Sequence, residues 1–359
     1  MPRIAVIGVG LIGGSIGKAA RERGLGEVVG WVRDAARAEA CLESGALDEV
    51  APTLEEAVAE SEIAFSCVSV GALPEVTGRI LAAVGEETVV TDVGSTKGEM
   101  VERFGDDPRF IGGHPLAGAE TAGVESARAD LFDGARWLLT PTEVSSGILY
   151  DRLNRFVTSI GARPAAIDAA EHDAAIAVVS HLPHVFANQL AGQAIAGSER
   201  LGAVAPSLRD ATRVAGSNPT VWSEILASNA DSVSEAIGAA IVGLESSKEV
   251  IATGDPEAIR EWQEGAASAR AALSAVEGAS EATHAIRILV PNRPGVLAQV
   301  ALALGEDGVN IVDMSLEPAS DMSSGAITVW VAGEADVGRA SQSIEDLGFQ
   351  VSPAEDEVR

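Results

Sequence analysis

The sequence predicts an α/β chain in three parts: an N-terminal doubly wound sheet, an all-helical domain and a small C-terminal βαββαβ module. Three observations predict it. Short apolar runs alternate with helical patterns from residue 1 to about 167, with a glycine-rich turn straight after the first run. From Asp168 the strand-like runs stop, and alanine-rich helical patterns continue to about residue 280. From His284 the runs alternate again over a stretch too short to hold a catalytic site of its own.

Strand-like runs in the first part are Ile4–Ile7, Val28–Val32, Ile63–Val68, Thr88–Thr91, Phe110–Ile111 and Arg136–Leu139. Helical segments such as Gly13–Arg23 and Leu73–Ala83 lie between them, and Arg163–Ile167 reads as a late strand in the same layer. In the second part Asp168 is placed to cap a helix whose first turn carries Glu171 and Asp173. That helical stretch is expected to break at Gly197, with further helices over 206–216, 219–252 and 256–277. The domains are therefore 1–167, 168–280 and 283–359, with a polar linker at 279–283. Long apolar-faced helices with few aromatics suit pairing with a second copy, so a homodimer is expected.

The composition excludes several classes. A chain of 359 residues that is 47% hydrophobic can build real cores, but only 4% of it is aromatic, so Ala, Val, Leu and Ile must do the packing. A formal charge of -28 opposes binding to nucleic acid or to anionic membranes. Cys41 and Cys67 make no CxxC pair, and two cysteines cannot form a disulfide framework. With no basic leader before the first strand and no long apolar run, the expected location is cytoplasmic.

Gly8-Val9-Gly10-Leu11-Ile12-Gly13 joins the first strand to a helix. Gly8 suits the tight turn, Gly10 lets backbone approach a pyrophosphate, and Gly13 lets the helix sit close on the sheet. The helix N-terminus, with Leu11 and Ile12 in its first turn, favours an anion. Together these mark a Rossmann-type dinucleotide site, to which Ser69 after the Ile63–Val68 run is added. At the end of the second strand, where an NAD site usually shows a carboxylate, stand Val32 and Arg33. A guanidinium there suits a 2'-phosphate, so NADP is favoured over NAD, with Asp34 close enough to blur the count.

Two segments carry the chemistry. Gly112-Gly113-His114-Pro115-Leu116-Ala117-Gly118 is read as a glycine-rich turn beyond a strand, presenting an imidazole suited to taking a hydroxyl proton. Ser95, in Asp92–Lys97, either reaches that imidazole or the substrate, or simply caps the next helix. Arg209 and Arg213 lie one turn apart on one expected helix face, with Trp222 nine residues further on. A base and a fork for a carboxylate suggest oxidation of a hydroxy acid. Glu120 is a candidate for the pocket mouth. Pro183 distorts the helix carrying His181 and His184, and no carboxylate or cysteine cluster accompanies them, so no metal site is expected.

The glycine loop, Asp92–Lys97, His114–Gly118 and the Arg209–Arg213 segment with Trp222 together resemble the prephenate dehydrogenase family over about residues 1–280. The resemblance implies oxidation of prephenate with loss of carbon dioxide, giving 4-hydroxyphenylpyruvate for tyrosine synthesis. It implies that His114 takes the hydroxyl proton, that Ser95 orients His114 or the hydroxyl, and that Arg213 holds the ring carboxylate. One of His181 and His184, with His184 preferred, is implied near the pyruvyl side chain. The segment Val204–Leu208 departs from the glycines of many relatives, which leaves arogenate open as the substrate. A β-hydroxyacid dehydrogenase is a more distant rival, and a catalytically inactive sensor of nucleotide and amino acid is the reading from another class.

Residues 283–356 resemble an ACT domain. The resemblance implies an amino-acid effector held near Asn292, Arg293, Gly295 and Asn310, and tyrosine inhibition is the expectation. A dimerisation module with no ligand is the competing reading.

Overall fold

The structure is a computed structural model. It describes residues 2–353 except 119–120, 122, 282, 292–295, 308, 310, 319–323 and 333. The chain divides into two compact units, Met1–Leu244 and Glu245–Arg359.

The first unit opens with β1 (Arg3–Ile7), α1 (Leu11–Glu22), β2 (Glu27–Trp31), α2 (Ala38–Glu43), β3 (Glu49–Val50), α3 (Leu54–Val58), β4 (Ile63–Ser66), α4 (Leu73–Ala83) and β5 (Val89–Asp92). The strands form one parallel sheet in the order β3-β2-β1-β4-β5. The sheet is covered on both faces, so β1, β4 and β5 are buried along nearly their whole length instead of alternating between buried and exposed. Thr53 starts α3 by accepting from the Glu56 amide.

Next come α5 (Gly98–Phe104), β6 (Gly112–Pro115), β7 (Arg136–Thr140), α6 (Gly147–Ser159) and β8 (Arg163–Ala166). Here the sequence expectation needs correction. These strands are not late members of the parallel layer. They form a separate three-stranded sheet in which β6 runs antiparallel to β7, and β7 parallel to β8. Phe110 makes only an isolated bridge, with Val90. Phe65 of β4 packs edge-on to Trp137 of β7 at 6.3 Å and against Phe156 of α6 at 5.3 Å, joining the two sheets through one core. Each fully buried ring of this kind contributes roughly 1.5–3 kcal/mol.

Asp168 caps α7 (Ala169–Ile176), accepting from the amides of Ala170 and Glu171 at 2.8 and 3.1 Å. A π-helical turn over Ala177–His181 leads into α8 (Leu182–Leu201), with Pro183 in its first turn, where the missing N–H costs nothing. The helix runs through Gly197 and stops at Gly202, whose φ of 60° is the left-handed conformation that a helix end uses. The expected 206–216 helix is two pieces, α9 (Pro206–Ala211) and a 3-10 turn at Arg213–Gly216. The expected 219–252 helix is also two, α10 (Pro219–Ser228) and α11 (Ala230–Ala252). They part at Asn229, which leaves helical geometry because its side chain bonds elsewhere.

The second unit takes the end of α11, then α12 (Pro256–Glu281), β9 (Thr283–Pro291), α13 (Val296–Glu306), β10 (Ile311–Pro318), β11 (Ser324–Ala332), α14 (Glu334–Asp346) and β12 (Gln350–Pro353). Its sheet is antiparallel in the order β10-β11-β9-β12. Ile286, Ile288, Ile327 and Val329 form one buried core with Val300, Leu304 and Ile344 of the two helices. No helix among the described residues is long and apolar enough to cross a membrane.

Candidate active site

The end of β5 carries a buried polar hub. Asp92 and Lys97 pair with no exposure of either side chain. Asp92 also accepts from the Gly94 amide at 2.8 Å and, through its other oxygen, from the Gly113 amide at 3.2 Å. That second bond ties β5 to β6. Burial pulls the Lys97 ammonium pKa down, against the opposing pull of Asp92. The hub meets the helical segment through Asp173 of α7, whose two oxygens accept from the Lys97 and Gly98 amides at 2.8 and 2.7 Å. Asp173 thus satisfies the first amides of α5, and Ser95 does not cap that helix. Ser95 is half-buried, and its hydroxyl has no hydrogen-bond partner among the described residues.

His114 stands within β6, opposite Leu138, and not in a turn beyond a strand. Its Nδ1 lies 2.9 Å from Nε2 of His172. Nδ1 of His172 lies 2.7 Å from an oxygen of Asp173. His172 has no exposure and Asp173 6%. Burial, the Lys97 charge, His172 and His181 together hold the His114 pKa well below 6.5. Burial opposes ionisation of Asp173, but hydrogen bonds from His172 and the Gly98 and Lys97 amides outweigh it and keep the carboxyl low.

Asn229 joins this cluster from the break between α10 and α11. Its Nδ2 donates to the Asp173 carbonyl at 2.8 Å and faces Nδ1 of His181 at 3.3 Å. An amino group bound to a carbonyl can only donate, so Nδ1 of His181 accepts and the ring proton sits on Nε2. That Nε2 is buried with no partner among the described residues. Burial first, then His184 and His172, takes the His181 pKa to about 4 against the pull of Asp173. The ring meets Trp222 edge-on at 5.9 Å, and Trp222 stacks on His184 at 3.4 Å. Burial and then the Arg213 charge lower the His184 pKa, so Arg213 acts electrostatically on this group. Arg209, on α9, is exposed. Because α9 ends at Ala211, Arg209 and Arg213 do not share one helix face. Glu120 lies outside the described residues, as do Asn292, Arg293, Gly295 and Asn310.

The glycine loop fits a dinucleotide. Gly8 has a φ of 95°, and a Cβ there would lie 2.5 Å from the Cys67 carbonyl oxygen. A Cβ on Gly13 would lie 2.2 Å from the Gly8 carbonyl oxygen, whereas one on Gly10 would meet no protein atom within 4 Å. Gly10 caps α1 without a side chain, so the first amides of α1 are not taken by a capping group. A cleft of about 440 Å³ opens beside Gly8 and Gly10, lined also by Arg33, Asp34, Arg37 and Ser69. Leu11 and Ile12 pack their partly buried side chains against the core. The helical segment reaches this region too: Glu224 accepts from the Gly71 amide at 3.0 Å, and Thr96 and Ser228 share a 2.9 Å hydrogen bond.

Residues 16–165 match the family model for the prephenate dehydrogenase nucleotide-binding domain, and 168–264 the model for the prephenate dehydrogenase dimerization domain. A cyclohexadienyl dehydrogenase of Zymomonas mobilis is 33% identical over 75% of this chain and 95% of its own. The chain belongs to the prephenate dehydrogenase family. Within that family, a prephenate dehydrogenase of Bacillus subtilis is 27% identical over 95% of both chains. The A. aeolicus prephenate dehydrogenase, solved with hydroxyphenyl propionate and NAD+, superposes with a TM-score of 0.71 at 28% identity, over 76% of this chain and 98% of that one. The Synechocystis arogenate dehydrogenase gives 0.68 at 25%, over 76% and 99%. Residues 284–349 match the ACT domain model.

Sequence reasoning missed His172, Asp173, Asn229 and the Asp92–Lys97 pair as parts of this family member's site. The sequence places Asp173 in the first turn of a helix capped by Asp168, and the structure buries it. A signal was present in the adjacent His172-Asp173 pair, two titratable groups just inside a capped helix. Nothing local said that they turn inward.

Proposed function

We propose that this chain oxidises prephenate, with decarboxylation, to 4-hydroxyphenylpyruvate, using a nicotinamide dinucleotide. The observation that carries the reading is His114: an imidazole kept neutral by burial and the Lys97 charge, on the strand that neighbours the dinucleotide-binding sheet. A neutral imidazole has the lone pair needed to take the C4 hydroxyl proton and can return it to the phenolic oxygen of the aromatised product. The bound nicotinamide supplies the acceptor for the hydride leaving C4. Carbon dioxide departs as the ring carboxylate bond breaks and its electron pair enters the ring. Arg213 holds that carboxylate, and Ser95, whose hydroxyl has no partner among the described residues, binds the substrate hydroxyl or His114.

Prephenate is favoured over arogenate by His181. Its buried Nε2–H is a donor awaiting an acceptor. The pyruvyl group offers a carbonyl and a carboxylate, whereas an ammonium would set donor against donor. His184, stacked on Trp222, closes the same side. NADP is favoured over NAD because Arg33 and Arg37 line the cleft, while the Asp34 carboxylate accepts from the Ala36 amide at 3.0 Å. The division into 1–167, 168–280 and 283–359 belongs to this proposal. So does a homodimer, supported by the exposed Phe186, Leu190, Ile195, Ile241 and Val242 on α8 and α11. So does tyrosine as an effector of the ACT domain.

The test is absorbance of the reduced cofactor on mixing protein with prephenate or arogenate and each nicotinamide. Fast turnover of prephenate with NADP, slowed by added tyrosine, is expected. No turnover of either substrate sinks the reading.

A further inference from the structure

We propose that His172 and Asp173 are positioning residues that fix which nitrogen of His114 carries the ring proton, leaving Nε2 as the base. The inference rests on the proposed role of His114 and goes beyond it, because it assigns the proton to a stated atom.

Asp173 is ionised in the fold and already accepts from two backbone amides, so it can only accept from His172. Nδ1 of His172 therefore carries a proton, in a bond of 2.7 Å. With one proton on the ring, its Nε2 is a bare lone pair. That lone pair faces Nδ1 of His114 at 2.9 Å, so Nδ1 of His114 must donate. The one nitrogen of His114 left without a proton is Nε2. His172 and Asp173 are buried, so water does not compete for the bond between them.

The line is also held rigid. The peptide carbonyl of Asp173 is gripped by Asn229, and its carboxylate by the start of α5. The orientation is set by α7, while the base sits on β6. A carboxylate orienting an imidazole for proton transfer is the logic of a serine hydrolase triad; here a second imidazole is placed between them. When the base takes its proton on Nε2, the Nδ1 proton is already directed at a lone pair, so the new charge is shared along a line that ends in a carboxylate.

Asp173→Asn tests the direction of the line. An amide can present its NH2 to His172, which would then carry its proton on Nε2 and force Nδ1 of His114 to accept. The proton of His114 would move to Nε2 and the base would be lost. The chain has five histidines, so full-length enzyme labelled with 15N-histidine gives a tractable long-range 1H–15N spectrum. The His114 signal is assigned by its loss in His114→Asn. At pH 8, without substrate, His114 is expected as the Nδ1–H tautomer. In Asp173→Asn it is expected as Nε2–H, with kcat for prephenate lowered about 10²–10⁴-fold and KM changed less than about threefold. A wild-type His114 carrying its proton on Nε2, or on both nitrogens, overturns the proposal, and so does a variant with kcat within about twofold of wild type. Should the variant fail to fold, the wild-type spectrum decides by itself. Failure of the functional reading is separate: it shows as absent turnover by the wild type, whatever the tautomer.

Discussion

Lys97 and Asp92 form an ion pair in which neither side chain reaches solvent, directly behind the strand that carries His114. Taking two charges out of water is costly, and the pair persists because each is the other's compensation. Lys97→Met alone leaves a buried carboxylate and is expected to cost about 3 kcal/mol or more in urea unfolding. Lys97→Met combined with Asp92→Asn is expected to recover much of that loss. Equal destabilisation by the single and double variants would show that the pairing is not what Lys97 contributes.

His114→Asn is expected to keep cofactor binding and lower kcat about 10²–10⁴-fold. The amide preserves size and hydrogen bonding toward His172 but has no titratable nitrogen. Stopped-flow single turnover, with cofactor binding followed separately, is the measurement. Near-normal turnover would remove His114 from proton transfer.

Arg213→Ala is expected to raise KM for prephenate with a smaller effect on kcat, because a substrate carboxylate loses its charged partner. It is also expected to relieve the depression of the His184 pKa to which the Arg213 charge contributes. Steady-state kinetics and histidine NMR titration read the two effects. An unchanged KM would assign the carboxylate to another residue.

Acid is expected to destabilise the fold from about pH 6.5 downward. His114 and His181 have folded pKa values below 6.5, that of His181 at about 4. Between those limits the unfolded chain binds more protons than the folded one, so stability falls as pH falls. The lowered Asp173 carboxyl acts in the same direction at lower pH. Urea midpoints at pH 7.5, 6 and 5 measure this, and a midpoint that rose on acidification would contradict it.

Arg33→Ala with Arg37→Ala is expected to raise KM for NADP about tenfold or more and to leave KM for NAD nearly unchanged. Both arginines line the cleft beside the glycine loop. A wild-type enzyme that clearly prefers NAD would refute the assignment.

How far the site was legible depended on how local its causes are. The glycine loop declares itself because Gly8 and Gly13 answer to close approaches that a Cβ would block. The break at Asn229 was invisible because it depends on the Asp173 carbonyl, 56 residues away in sequence. The separation of Arg209 from Arg213 was invisible too: the chain leaves the α-helix at Thr212 although its residues would tolerate another turn.

Sequence alone determined the dinucleotide-binding start, the succession of sheet, helices and small α/β module, and the residue types able to move a proton and hold a carboxylate. Periodicity, glycine placement and side-chain chemistry are written in neighbouring residues. Tertiary structure decided which groups those residues meet. His114 touches His172, 58 positions away, and Asp173 caps a helix 75 positions before it. A hydrogen bond between buried groups depends on distance and direction in space, and the order of residues along a chain carries neither until the chain has folded.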